Sequence, residues 1–286
     1  VKKQQFILVS VAVVLCFVLF FFGKTAAPPD ANGDTKLNAQ EMPPSKLTTQ
    51  DLLSAAKKTL TPEEVTSVTQ LENTVVRGDV KKQQTEIYGQ LARYWGDSLN
   101  KPDIAAYYLG EEAKLENSEK KLNFAARLLI SQMYAESDPA KQNWLATNVK
   151  ALFEQSLQLN PVNDSARIGI GACYIFGNVS ASPMEGILAV KAVADRDPGN
   201  LYAQMVLGQG DLKSGQLDKA IERFQYVVSH DPKNLEAIFN LAESYDRKGD
   251  KPNAISWYKK AQDMIGLPEA KKEIQERIDA LSKTDL

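Results

Sequence analysis

The stretch DANGDTKLNAQE, residues 30–41, spaces oxygen side chains as a calcium loop does. Asp30, Asn32 and Asp34 fall at positions 1, 3 and 5, and Glu41 at position 12. Such a loop needs glycine at position 6, where the chain turns through the left-handed region. Here that position is Thr35, and Gly33 stands two residues early. Pro28 and Pro29 block a helix leading in, and Pro43 and Pro44 stop one leading out. A calcium-responsive role is therefore the last of the readings weighed below. Other reactive side chains are sparse. His230 is the single histidine and sits just before Pro232, in a turn pattern. Cys16 and Cys173 lie in separate apolar runs. Neither a Ser-His-Asp nor a Cys-His set can be assembled, and metal ligation by His and Cys lacks partners. Gly169-Ile170-Gly171 lacks the third glycine and the preceding strand of a dinucleotide loop. Glu111 and Glu112 read as part of a solvated face. The expectation is a protein without enzymatic activity, cofactor or metal. Its net charge of −2, with basic residues spread along the chain, also excludes a nucleic-acid footprint.

What positions the chain is clearer. Phe6–Phe22 is a run of 17 residues without charge, with Ser10 its one polar side chain. As a helix it would be about 26 Å long at about 1.5 Å per residue, enough for a bilayer core. Lys2 and Lys3 precede it, whereas Lys24 is followed by Asp30 and Asp34. The positive-inside rule then puts the N-terminus in the cytoplasm and the remainder across the membrane. A retained signal anchor is favoured over a cleaved signal peptide, because the run is long for one. A lipoprotein cysteine at Cys16 is disfavoured by the bulky Leu15 before it, and a buried soluble helix by the lack of a polar face. Residues 1–23 are thus read as cytoplasmic tip and transmembrane anchor, and 24–47, with four prolines, as a linker.

Ordered structure is expected from Thr48. Thr48 with Asp51, and Thr61-Pro62 with Glu64, have the spacing of helix N-caps. Val65, Val68, Leu71, Val75 and Val76 follow on one helical stripe, and Gly78 ends it. Residues 48–80 are read as leading helices.

Three turns then repeat a pattern: NPVN at 160–163, DPGN at 197–200 and DPKN at 231–234. Pro198 and Pro232 are 34 residues apart, and Pro161 and Pro198 are 37 apart. Aligned on the prolines, small residues recur at Gly171, Gly208 and Ala242, and again at Gly186, Ala220 and Ala254. Large ones recur at Val190, Phe224 and Tyr258. Each unit reads as two helices that approach closely at the small residues and fill the space between units with the large ones. Proline ends the second helix, and Asn200 and Asn234 are placed to cap the next. This pattern resembles the tetratricopeptide repeat over 164–266. Divergent units over 81–163 are marked by Leu91, Trp95, Ala106 and Ala113, then by Ile130, Tyr134, Phe153 and Pro161, with extra residues expected in the turn SDPAKQNW. The signature first-helix tryptophan is missing from the best units, and Asp211 stands where Tyr174 and Tyr245 stand in their neighbours. Residues 267–286, with a stripe of Ile274, Ile278 and Leu281, read as a capping helix. The expected fold is all-α: a single transmembrane helix followed by a right-handed α-solenoid of tetratricopeptide helix pairs.

The resemblance implies a groove lined by the first helix of each unit. Its offsets fall on Ser165, Ile168, Ala172, Ile175 and Phe176, on Tyr202, Met205, Gln209, Leu212 and Lys213, and on Glu236, Phe239, Glu243, Asp246 and Arg247. Family members that clamp a C-terminal carboxylate do so with lysine at offsets held here by Ile168, Met205 and Phe239, so that mode is not expected. An apolar groove suits a hydrophobic peptide or helix from a protein partner. The alternative is that the chain's own neighbours or its capping helix cover these residues. The layout of anchor, tether and repeats is similar to that of bacterial inner-membrane scaffolds in protein export or cytochrome c assembly, with the repeats in the periplasm. A holdase-like chaperone for translocated chains is the rival reading.

Overall fold

Local capping sets where each helix begins. Thr48 accepts from the Asp51 amide while the Asp51 carboxylate accepts from the Thr48 amide, both at 3.1 Å. Thr61 and Glu64 exchange the same pair of bonds, at 2.8 and 3.3 Å. Asn163, Asn200 and Asn234 accept from the amides of Ala166, Ala203 and Ala237 at 2.9–3.1 Å. Each cap gives a partner to an amide that the helix itself leaves unpaired.

The computed structural model describes residues 47–77, 80–179 and 182–283. Within them lie thirteen α-helices and one π-helical turn. The helices are α1 (Thr49–Lys57), α2 (Pro62–Arg77), α3 (Lys81–Arg93), α4 (Pro102–Glu116), α5 (Glu119–Ala135), α6 (Pro139–Leu159), α7 (Asp164–Phe176), α8 (Met184–Arg196), α9 (Leu201–Lys213), α10 (Leu217–His230), α11 (Leu235–Lys248), α12 (Lys251–Met264) and α13 (Pro268–Lys283). The π turn, Tyr94–Ser98, extends α3 and buries Trp95. No strand occurs among the described residues. No helix there is long and apolar enough to cross a membrane, and the Phe6–Phe22 run and the stretch 30–41 lie outside them.

From α2 onward each helix packs against the next in sequence, and α5, α7, α9 and α11 also touch one another in a row. The close approaches fall at the small residues. A Cβ at Gly171 would strike Val190 and come within 2.9 Å of the Gly186 carbonyl oxygen, so α7 and α8 meet backbone to backbone. Gly169 faces the Phe153 ring, which explains the Gly-x-Gly spacing as helix packing. Phe224 is fully buried and fills the space beside Gly208. Asp211, out of pattern in sequence, accepts from Arg223 Nε at 2.9 Å, while the same guanidinium donates to Gln204 at 2.7 Å. An ion pair thus stands where the neighbouring units use tyrosine.

Two features depart from the sequence expectation. The extra residues at SDPAKQNW do not lengthen a turn. Asp138 caps Ala140 at 2.9 Å and Pro139 takes the first helical position, so the surplus extends α6 to 21 residues. The leading helix α1 reaches far along the chain: Trp144 Nε1 on α6 donates to Thr49 Oγ1 at 3.0 Å, and Lys57 pairs with Glu72. Beside α1, Tyr88, Tyr107 and Tyr108 line a cavity of about 430 Å³, and the Tyr107 ring packs 5.7 Å from Trp144.

Buried apolar side chains form two clusters that meet at α9. Ala203, Val206 and Leu207 belong to the first, Met205 and Leu212 to the second.

Candidate functional site

Above that seam lies a cavity of about 620 Å³. The row of helices builds it: α5 supplies Arg127, Ile130, Ser131 and Tyr134, α7 supplies Ser165, α9 supplies Tyr202, Met205 and Gln209, and α11 supplies Glu236. Its floor is apolar. Ile130 and Met205 are nearly buried, while Tyr134 and Tyr202 each keep just over a third of their surface exposed. Desolvation in the cavity pushes the Tyr202 hydroxyl up to about 12 and raises that of Tyr134 as well. Both stay neutral at physiological pH and can donate hydrogen bonds. Gln209 Nε2 donates to Glu236 Oε1 at 2.6 Å across the α9–α11 gap.

The residues expected at the groove divide into three groups. Tyr202 and Met205 line this cavity. Phe176 stands beside it, its ring 5.3 Å from and edge-on to that of Tyr134. The exposed Lys213 covers the Phe176 face at 5.4 Å and donates to the Ile175 carbonyl at 3.0 Å, closing the C-terminal end of α7. Ile168 is fully buried and Ile175 nearly so, which makes them packing residues. Phe239, Glu243 and Arg247 line a separate, smaller cavity of about 350 Å³, to which α13 contributes Glu273, Ile274 and Arg277. There Arg277 grips Asp246 with two bonds of 2.6 and 2.8 Å, and the Phe239 ring packs 5.7 Å from Tyr258.

The contribution of α5 was missed in the sequence. Tyr134 and Ile130 were visible there as landmarks of a divergent unit, but without a regular neighbour to fix the register they could not be assigned to the groove. Phe124 and Leu128 on the same helix are also exposed.

Nothing near the cavity is arranged for bond-making chemistry. His230 is exposed at the end of α10, stacked on Tyr226, its Nδ1 2.9 Å from the Tyr226 carbonyl oxygen. Cys173 is a free, buried thiol that burial pushes up to about 12, which leaves it protonated and unreactive. No group of His, Cys, Asp and Glu among the described residues could hold a metal ion.

Residues 205–266 match the family model of the tetratricopeptide repeat. Among solved structures, the chain is similar to TTC0263, a thermophilic tetratricopeptide repeat protein of Thermus thermophilus. The identity is 14% and the TM-score 0.50, over 69% of this chain and 98% of that one. It is also similar to PilW, described as a widely conserved type IV pilus biogenesis factor, at 18% identity and TM-score 0.46, over 68% of this chain and 92% of that one. A third, YrrB, described as having an unusual peptide-binding site, shares 17% identity at TM-score 0.40, over 66% of this chain and 91% of that one. At 14% identity the likeness to TTC0263 is one of fold alone. No curated protein matches the chain significantly.

Proposed function

We propose, from the premise that this chain carries tetratricopeptide repeats, that it is a non-enzymatic scaffold whose groove across α5, α7, α9 and α11 docks a protein partner. The observation that supports this is the cavity of about 620 Å³ with exposed Tyr134 and Tyr202 over an apolar floor. Open concave sites with apolar walls and a few placed polar groups are where ligands seat. Aromatic side chains in such places carry much of the binding energy at interfaces.

The apolar run Phe6–Phe22, with Lys2 and Lys3 before it, supports a single-pass anchor in a bacterial inner membrane, N-terminus cytoplasmic and repeats periplasmic. On that layout the scaffold serves an envelope complex, of which protein export and cytochrome c assembly are the candidates by architectural analogy.

The test is purification of the tagged full chain in mild detergent. A scaffold brings down one complex in fixed ratio, and Tyr202→Ala loses it. If the protein instead suppresses aggregation of unrelated unfolded chains and holds no fixed partner, it is a holdase. Protease added to cells with an opened outer envelope should digest the repeats. Their protection would overturn the proposed orientation.

A further inference from the structure

The groove is electrically polar along its length. Of the side chains lining the cavity, Arg127 and Glu236 are the charged ones. Arg127 stands on α5 and Glu236 in the first turn of α11, at opposite ends of the helix row. Arg127 is exposed, and Glu236 accepts from the uncharged Gln209 amide, so neither charge is met by an ion pair among the described residues. Tyr202 lies between them and senses both. The Arg127 charge favours its ionisation and the Glu236 charge opposes it, beneath a larger effect of desolvation. Everything between the two ends is neutral: Ile130, Tyr134, Tyr202 and Met205 below, Ser131, Ser165 and Gln209 beside them.

Resting on the groove reading above, we propose that the occupant is an extended segment of a protein partner with a defined charge order. A large apolar side chain seats among Tyr134, Tyr202 and Met205, an acidic residue lies on the α5 side by Arg127, and a basic residue lies on the α11 side by Glu236. Complementary charges at the two ends fix register and exclude wrong partners more than they add affinity. The span agrees with a short segment. Three steps between helices packed about 8–10 Å apart cover about 25–30 Å. At about 3.3 Å per residue, that is about eight residues of extended chain.

The test uses the full chain and fluorescein-labelled peptides of eight residues, too short to hold a helix in water. All share a central Phe-Leu pair. One has Asp near one end and Lys near the other, one has Asp at both ends, one has Lys at both ends, and one has neither. Anisotropy titrations should give the Asp/Lys peptide the tightest binding. Each like-charged peptide should bind about threefold to fivefold more weakly, the scale of a half-exposed ion pair. Glu236→Lys should restore the Asp/Asp peptide, and Arg127→Glu should restore the Lys/Lys peptide. If all four peptides bind equally and Tyr202→Ala weakens them together, the charge order is overturned while the groove reading survives. If none binds, both fall.

Discussion

The two cavities on the helix row differ in what faces them. The one between α5 and α11 is lined mainly by first helices of successive units, whereas the one beside Phe239 has the chain's own last helix as one wall. α13 behaves there as the next first helix would. It buries Ile274, Ile278 and Leu281 and sets Arg277 on Asp246, whose side chain keeps only 7% of its exposure. Two aromatic residues on the same face of the array, at different offsets, therefore have different neighbours. Tyr202 and Phe239 are similarly exposed, at 37% and 39%, but Tyr202 stands over a floor of Ile130 and Met205, while Phe239 packs on Tyr258 and shares its pocket with the cap. A repeat offset identifies a face of the array, and the neighbouring element decides what chemistry lines that face.

Breaking the capped end should cost the most. Ile278→Ala removes a side chain 4% exposed from the cap interface and is expected to destabilise the chain by about 2–4 kcal/mol. Urea unfolding followed by circular dichroism reads this directly. A loss below about 1 kcal/mol would mean that α13 is only loosely docked. At the larger cavity the largest effect should fall on binding. Tyr202→Ala should weaken the partner by about 2 kcal/mol, roughly thirtyfold, while its unfolding midpoint stays near that of the parent. Arg277→Ala comes next. It leaves the Asp246 carboxylate to the Tyr258 hydroxyl, which donates to it at 3.2 Å, and gives up an arginine that is half-exposed, so about 1 kcal/mol is expected. The difference between parent and variant should shrink in molar salt, where screening shortens to about 3 Å. Comparable is Phe239→Ala, which loses an edge-on contact with Tyr258, worth about 1 kcal/mol, and the partial burial of a ring 39% exposed. It should leave partner binding unchanged. A binding loss as large as that of Tyr202→Ala would erase the distinction between the two ends.

The sequence was most legible where the physics is local. Asn163, Asn200 and Asn234 cap the helices their turns announce, and Gly171, Gly186, Gly208 and Phe224 pack where the repeat spacing puts them. It was least legible where contacts are distant or the repeat diverges. The bond from Trp144 to Thr49 joins residues 95 apart, which no spacing rule connects. The lengthening of α6 depended on Asp138-Pro139 starting a helix inside what read as a turn. The groove itself was half legible. α9 was placed on it because two regular units flank it, whereas Arg127 and Tyr134 of α5 required the fold. Position drew the remaining line: Ile168 and Ile175 are buried away from the cavity, whereas Met205, as buried as Ile175, lines it.

Site-specific photocrosslinking in intact cells tests the account most directly. A photoreactive residue replaces Tyr202 in one strain and Phe239 in another. Position 202 borders the larger cavity, so the account predicts a discrete adduct from it that is stronger than any from 239. Adducts of equal strength from both positions, or from 239 alone, would contradict it.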